Sequence, residues 1–407
     1  MNNIDKNIFL DTAWEIGCKL INSAIWHEDS CSWQGYSIEA LNGEYKTVVR
    51  AFGSDVYSGT SGIVLFLVAL YSEKKDPILL KTIEGAISQM KLNTTKLSNH
   101  GFYSGKPGIA SALIKVGETL NRKKWIEDGL ELLDSITSVS IKNHEIDLIS
   151  GVAGTIPVLL DAYRKFNKKE LLDKAIELGD LLNNTAKKEG HICSWSTVPS
   201  QKDLTGFSHG ASGIALALLQ LYNVTGSKEY LNTAIGGFNY ERVSFDSAQQ
   251  NWPDYRDGVV KQDSGNVCGI SWCHGAPGIA ISRYRANQLM PDSVYVQEME
   301  IALSTTTANV YNTLNADLSN TNFSLCHGVA GNSDILLDCG REEHVKLAEA
   351  VGVAGINKYQ QNNSSWPSGL NTNQYTPGLM MGLAGTGYFY MRLYNKEKYQ
   401  SLLFSKL

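Results

Sequence analysis

Residues 59–71 read GTSGIVLFLVALY, a G-x-x-G step followed by an apolar run. The larger apolar side chains fall at the i, i+3, i+4, i+7 and i+8 positions from Ile63 to Tyr71, which is the period of an α-helix. The same step begins seven such runs, with its first glycine at Gly59, Gly105, Gly151, Gly210, Gly275, Gly328 and Gly382. The recurrence predicts a repeat architecture in which each buried helix starts at a tight glycine turn.

A second, more amphipathic helix with a charged face is predicted before each step. The predicted segments are Asn7–Trp26, Pro77–Leu92, Arg122–Thr137, Lys168–Asn184, Lys228–Phe238, Ser293–Leu314 and Glu342–Gln360. Helices that are apolar on nearly all sides need a shared interior. We therefore predict an all-α fold, an α/α toroid (barrel) of seven helical hairpins with inner and outer rings of helices. We expect residues 1–407 to form this single domain, with an ordered rim loop over roughly 238–269.

Composition restricts the compartment and the partners. The 407 residues are 43% apolar and 19% charged, as in globular proteins, with a net charge of −5 and a pI near 5.9. The sequence has no block of Lys and Arg, which argues against nucleic acid and anionic membranes as partners. It also has neither a long apolar span nor a secretion signal, and its seven scattered cysteines do not suggest a disulfide framework. We expect a cytoplasmic protein with reduced thiols and no transmembrane segment.

Two copies of the pattern C-H-G-x-x-G begin at Cys273 and Cys326. Because consecutive repeats are neighbours on the predicted ring, Cys273, Cys326 and His327 are expected to meet as a Cys2His ligand set for Zn2+. Three protein ligands leave one position open, as in catalytic zinc sites, and two thiolates favour activation of a thiol over hydrolysis. Alternatively, the cysteines are buried small apolar residues, or His274 closes a structural site as a fourth ligand.

A further histidine directly precedes the first glycine of the fourth repeat, in the sequence G-F-S-H-G at 206–210. It is therefore expected at the same end of the predicted barrel as Cys273 and Cys326. His209 is a candidate acid or base near neutral pH, and the alternative is a structural histidine. Asp147, four residues before Gly151, belongs to the neighbouring repeat and is placed to orient or charge His209. The alternative for Asp147 is a turn or cap residue.

These residues resemble the lanthionine synthetase C-like (LanC) family over nearly the whole chain. The resemblance rests on the seven helical repeats, on W-C-H-G-x-P-G at 272–278 and on C-H-G-x-x-G-N at 326–332. Through Y-E-R at 240–242 and N-W-P-D at 251–254, the chain looks most like the C-terminal cyclase domain of bifunctional class II lanthipeptide synthetases.

The resemblance implies an α/α toroid with one Zn2+ held by Cys273, Cys326 and His327, and a catalytic pair at His209 and Asp147. It implies a cyclase that adds peptide cysteine thiols to dehydroalanine or dehydrobutyrine and so forms lanthionine or methyllanthionine thioether rings. The partners implied are a dehydrated precursor peptide and a dehydratase domain or enzyme from the same biosynthetic system.

The chain departs from the family pattern at two positions. Many members have Tyr directly after the first zinc cysteine, and nisin-type cyclases have Arg four residues before it, where this chain has His274 and Gly269. Those two roles do not carry over. His274 and Trp272 are instead candidate substrate-facing residues. Two other functions stay open: addition of glutathione or another external thiol to dehydroamino acids, and a noncatalytic, zinc-stabilised scaffold that binds peptides.

Overall fold

The structure is a computed structural model that describes residues 4–41, 44–94, 99–138, 141–142, 144–256, 265–370, 375–404 and 407. The helices in these ranges are α1 (Asn7–Asn22), α2 (Thr60–Glu73), α3 (Pro77–Asn93), α4 (Lys106–Thr119), α5 (Lys123–Asp134), α6 (Thr155–Phe166), α7 (Lys169–Thr185), α8 (Ala211–Thr225), α9 (Lys228–Ser244), α10 (Ala276–Leu289), α11 (Ser293–Asn315), α12 (Val329–Asp338), α13 (Glu342–Gly355) and α14 (Leu383–Tyr394). Every predicted hairpin is present, with the odd-numbered helix before the G-x-x-G step and the even-numbered helix after it. Part of the predicted rim loop, 257–264, lies outside the described residues.

The even-numbered helices are the buried members of the hairpins, as their apolar composition predicts. In α2 every residue from Thr60 to Leu70 is buried, and in α8 every residue from Ala211 to Leu219. The odd-numbered helices are amphipathic: α7 buries Leu171, Ala175, Leu178 and Leu182 on one face. This division into inner and outer helices agrees with the sequence pattern.

The second glycine of the step is required by a close backbone contact. A Cβ atom on Gly62 would lie 2.1 Å from the carbonyl oxygen of Val56, and one on Gly331 would lie 1.9 Å from that of Leu325. Equivalent close approaches, all under 2.5 Å, occur at Gly154, Gly213, Gly278 and Gly385. Only glycine allows the turn to cross the first residues of the helix this tightly. The repeated step is therefore a packing requirement and not a flexible linker.

Three antiparallel strand pairs accompany the helices: β1 (Ile25–His27) with β2 (Ser30–Ser32), β3 (Gln34–Leu41) with β4 (Glu44–Ala51), and β5 (Lys187–Glu189) with β6 (Ile192–Ser194). The predicted first helix is too long, because the chain turns after Asn22 and enters β1. The pairs β1–β2 and β5–β6 are equivalent, since the second strand of each ends in Cys-Ser and is followed directly by a tryptophan. Trp33 Nε1 donates to Leu20 O at 2.9 Å, and Trp195 Nε1 donates to Leu182 O at 2.8 Å.

The chain divides into two compact units, of which the first comprises Met1–Leu97, Ala112–Ile126 and Val310–Leu403. Its inner helices α2, α14 and α12 pack in that order, so the seventh repeat lies against the first. Buried Arg392 of α14 is ion-paired with Asp334 and Asp338 of α12. These contacts neutralise a guanidinium that burial would otherwise destabilise.

The second unit comprises Ser98–Ser111, Glu127–Asn309 and Phe404–Leu407. Its inner helices α6, α8 and α10 pack side by side, and α9 packs on α8. The predicted end of α9 at Phe238 is wrong: the helix continues to Ser244. It continues because Glu241 points into the interior, where it is fully buried and ion-paired with Arg283 of α10 at 3.2 Å.

No helix in the part of the chain that the structure describes is long and apolar enough to cross a membrane.

Candidate metal centre and catalytic pair

The residue two positions before each first glycine lies in a hydrogen-bonded layer within each unit. In the first unit, Cys326 N donates to Met380 O at 2.9 Å, and Met380 N donates to Tyr57 O at 2.8 Å. In the second unit, Ser208 N donates to Cys273 O at 3.4 Å. Aligning the repeats by their first glycine therefore identifies residues that lie side by side.

Cys326 and His327 lie on one turn of the first unit, directly before α12. Their candidate ligand atoms lie within 4.8 Å of each other, and Cys326 is buried whereas His327 is exposed. His327 Nε2 lies 2.7 Å from the carbonyl oxygen of Gly369. Since a carbonyl oxygen only accepts, Nε2 carries the hydrogen and Nδ1 keeps its lone pair. A backbone carbonyl on the second nitrogen is the usual support of a zinc-binding histidine, so this donor set fits Zn2+.

Cys273 lies on the equivalent turn of the second unit, directly before α10. Its side chain is partly buried, and its sulfur lies 3.2 Å from the hydroxyl of Ser271. The amide of His274 donates to the same hydroxyl at 3.4 Å. None of the seven cysteines, all of which lie in the described ranges, forms a disulfide.

His209 and Asp147 form a close pair in the second unit. His209 Nδ1 lies 2.5 Å from Asp147 Oδ2, and the other oxygen of Asp147 accepts the amide of Ser150 at 2.7 Å. The carboxylate therefore both caps its turn and orients the imidazole. The side chain of His209 is 30% exposed, whereas that of Asp147 is 9% exposed. Nε2 of His209 is thus the nitrogen left to act on a substrate.

The pKa of His209 is raised by this arrangement. Burial acts to lower the pKa, but the hydrogen bond and the negative charge of Asp147, with a contribution from the Cys273 sulfur, outweigh it. The ring consequently keeps its proton to a higher pH than an ordinary histidine. That is the state a general acid needs.

The model of the lanthionine synthetase C-like protein family matches residues 51–404. The chain belongs to this family. It is 27% identical over 385 residues to the lacticin 481/lactococcin biosynthesis protein LcnDR2 of Lactococcus lactis subsp. lactis, covering 90% of this chain but only 38% of that relative. It is 23% identical over 311 residues to the nisin biosynthesis protein NisC of the same organism, covering 67% of this chain and 71% of NisC.

The solved structure of nisin cyclase matches with a TM-score of 0.61 at 19% identity, covering 87% of this chain and 91% of nisin cyclase. At this identity the likeness concerns the fold alone. The predicted fold class, an all-α α/α toroid, is confirmed, and so is the family resemblance.

Trp272 and His274, the candidate substrate-facing residues, are both buried. Trp272 is fully buried and its ring packs edge-on against Tyr103 and Phe207. His274 is 2% exposed, burial lowers its pKa to about 4, and its ring stacks on that of His209 with centroids 5.9 Å apart. A substrate-facing role stays a prediction for both residues, and the packing of Trp272 argues against it there.

Sequence reasoning missed Arg256, which lies two residues after the N-W-P-D motif. Its guanidinium binds Asp254 through Nη2 at 2.6 Å, and an oxygen of Asp254 lies 3.7 Å from Nδ1 of His274. The positive charge of Arg256 acts on both His209 and His274. The motif itself was the available signal, because it drew attention to Asp254.

Gly269, where nisin-type cyclases have Arg, packs against the following turn. A Cβ atom there would lie 3.1 Å from the carbonyl oxygen of His274 and 3.3 Å from its Cβ. The side-chain amide of Asn251 also donates, through Nδ2, to the carbonyl oxygen of Gly269 at 2.9 Å. This backbone leaves little room for a larger side chain, which agrees with the inference that the arginine's role does not carry over.

Proposed function

We propose that this chain is a zinc-dependent lanthipeptide cyclase. The reaction is the addition of a peptide cysteine thiol to dehydroalanine or dehydrobutyrine, which gives a lanthionine or methyllanthionine ring. The observation that supports it most is the pairing of a partly exposed His209 with a buried Asp147 in a member of the lanthionine synthetase C-like family. A protonated histidine held in this way can supply the proton that the addition requires at Cα of the dehydroamino acid.

We propose Cys273, Cys326 and His327 as the ligands of one Zn2+. When bound, the metal holds an incoming thiol in its deprotonated, nucleophilic form at neutral pH. The carbonyl of Gly369 fixes the tautomer and the orientation of His327. That residues 1–407 act as a single cyclase domain is part of this proposal.

His209 is proposed as the acid that completes the addition. A bond forms between the thiolate sulfur and Cβ of the dehydroamino acid, and the electron pair of the C=C bond moves towards Cα and its carbonyl. His209 donates a proton from Nε2 to Cα, and Asp147 stabilises the imidazolium beforehand. The thiol proton replaces the one that His209 gave. No atom is lost, so the mass of the peptide is unchanged.

The proposed substrate is a dehydrated precursor peptide, supplied by a dehydratase domain or enzyme of the same biosynthetic system. The chain spans 38% of the length of LcnDR2. The names of LcnDR2 and NisC refer to the biosynthesis of lacticin 481/lactococcin and of nisin, and they favour this substrate class. We further propose that the protein works in the reducing cytoplasm, where a thiol substrate stays available.

The test is incubation of the metal-loaded protein with a peptide that carries one dehydroalanine and one cysteine, with and without glutathione. We expect a product of unchanged mass that iodoacetamide no longer alkylates. A product heavier by one glutathione would instead identify an external-thiol transferase. Unreacted peptide that stays bound to a stoichiometrically metal-loaded protein would identify a scaffold.

The matched variants are His209→Asn and His191→Asn, the latter an exposed histidine of the same unit. His209→Asn should retain the metal and slow ring closure by about 100-fold or more, the usual range for loss of a general acid. His191→Asn should behave like the unchanged protein. Equal ring-closure rates in the two variants would remove His209 from the mechanism.

A further inference from the structure

Tyr57 donates a hydrogen bond to the sulfur of Cys326. The phenol oxygen lies 3.0 Å from Cys326 Sγ and 3.4 Å from the thioether sulfur of Met381. One O–H group has one hydrogen to give. A cysteine sulfur, particularly as a thiolate, accepts more strongly than a thioether and is also nearer. The hydrogen bond therefore goes to Cys326.

The position of Tyr57 is fixed by the turn that carries it. Oδ1 of Asp55 accepts the amides of Ser58 at 2.8 Å and of Gly59 at 3.2 Å. The carbonyl of Tyr57 accepts the amide of Met380 at 2.8 Å, and Met380 in turn accepts the amide of Cys326. The phenol and the thiol thus sit on backbone segments that are bonded through one intermediate residue, so their relative position is preorganised.

We propose that Tyr57 is a positioning residue for the metal ligand Cys326. Its hydroxyl orients the thiolate and withdraws negative charge from one of the two sulfurs that hold the metal. The inference rests on the proposed function, because it assumes that Cys326 is a metal ligand. Hydrogen bonds of this kind to ligand atoms tune metal affinity by about 10- to 100-fold in other metal sites.

The repeat alignment places Tyr57 at the position that the two cysteines occupy in their own repeats. Tyr57, Cys326 and Cys273 all stand two residues before the first glycine of a step. In the first repeat this rim position supplies a donor, and in the fifth and sixth repeats it supplies sulfur. Cys273 has a hydroxyl neighbour too, Ser271, but on its own turn. The two sulfurs therefore differ in their partners.

The experiment compares the full chain with Tyr57→Phe and Met381→Leu, loaded with Co2+ in place of Zn2+. Thiolate-to-cobalt charge transfer reports the electron density on sulfur. Tyr57→Phe should move this band to longer wavelength and raise the dissociation constant for Zn2+, measured against a competing chelator, about tenfold. Met381→Leu removes the alternative acceptor and should leave both values unchanged.

Three outcomes distinguish the possibilities. If the unchanged protein shows no charge-transfer band, the proposed metal site itself fails. If it shows the band but Tyr57→Phe has the same band and the same dissociation constant, only the role of Tyr57 is overturned. If Tyr57→Phe lowers the melting temperature of the metal-free protein as much as that of the metal-loaded protein, or does not fold, the hydroxyl serves packing and the inference is overturned as well.

Discussion

Nδ1 of His209 lies 2.5 Å from Oδ2 of Asp147, although the two residues are 62 positions apart in the chain. Asp147 is held by its own turn, where Ser150 donates to its second oxygen. The carboxylate is therefore held in place by its own turn, and it fixes the orientation of the imidazole. The geometry of this pair and the raised pKa of His209 both favour a role for His209 as a general acid.

This pair makes the pH dependence of ring closure a testable property. Burial acts to lower the pKa of His209, but Asp147 outweighs it and the pKa is raised. A step that needs the imidazolium declines as pH rises through that raised pKa. Asp147→Asn removes the charge, so the decline should move to lower pH, and the rate at neutral pH should fall. Single-turnover ring closure across a pH series measures this, with His191→Asn as control, and an unshifted decline would contradict the assignment.

Removal of a proposed sulfur ligand should abolish metal binding and cyclisation together. Cys273→Ala and Cys326→Ala should each lose the roughly one equivalent of zinc that a single site holds. Cys18→Ala is the matched control, because Cys18 is a free, partly buried thiol on α1. Elemental analysis of the purified proteins and the ring-closure assay are the two measurements. A Cys273→Ala protein with full zinc and full activity would show that the ligand assignment is wrong.

The helical hairpins were predictable because one signal, a glycine step before an apolar period, recurs in every repeat. The step has a strict physical cause, since a carbonyl oxygen occupies the space where Gly62 or Gly331 would carry a Cβ atom. The strands were not predictable in the same way. The C-S-W sequences at 31–33 and 193–195 lie far apart, and only their shared contacts identify them as equivalent.

The sequence could indicate candidate site residues where cysteine or histidine stands one or two residues before the first glycine of a repeat, because these positions are equivalent. The structure brings Asp147 and His209 together, and Asp147 also caps its own turn, because each of its oxygens has a separate partner. Tyr57 stands at the same repeat position as Cys326. Only the distance between its phenol oxygen and Cys326 Sγ distinguishes it from an ordinary apolar residue. Gly369 has no side chain at all, so a carbonyl that supports a ligand leaves no trace in the sequence.

The contact between Gly369 and His327 predicts that a single methyl group weakens metal binding. A Cβ atom at residue 369 would lie 2.9 Å from Oγ of Ser324 and 3.0 Å from Nε2 of His327, so the hydroxyl and the imidazole must both give way. Gly369→Ala should raise the zinc dissociation constant about tenfold. Gly53→Ala is the control, because its added methyl meets only Asp55, at 3.4 Å. Equal affinities in the two variants would mean that Gly369 does not support the ligand.

The buried charge of Glu241 predicts a link between stability and the turn of His209. One carboxylate oxygen accepts the amides of Gly206 at 2.7 Å and Ser212 at 3.0 Å, which bracket His209, and the other pairs with Arg283 at 3.2 Å. Glu241→Ala leaves a fully buried guanidinium with reduced compensation, so the free energy of unfolding should fall by about 3–5 kcal/mol. Urea unfolding measures the loss.

Glu189→Ala, at an exposed carboxylate of the same unit, should change the free energy of unfolding by less than about 0.5 kcal/mol. Ring closure by folded Glu241→Ala should also slow, because the turn that aims His209 loses both amide contacts. Metal content should stay unchanged, since the proposed ligands lie on other turns. A variant as stable as Glu189→Ala would show that Glu298, which binds Nε of Arg283 at 2.5 Å, compensates the buried charge by itself.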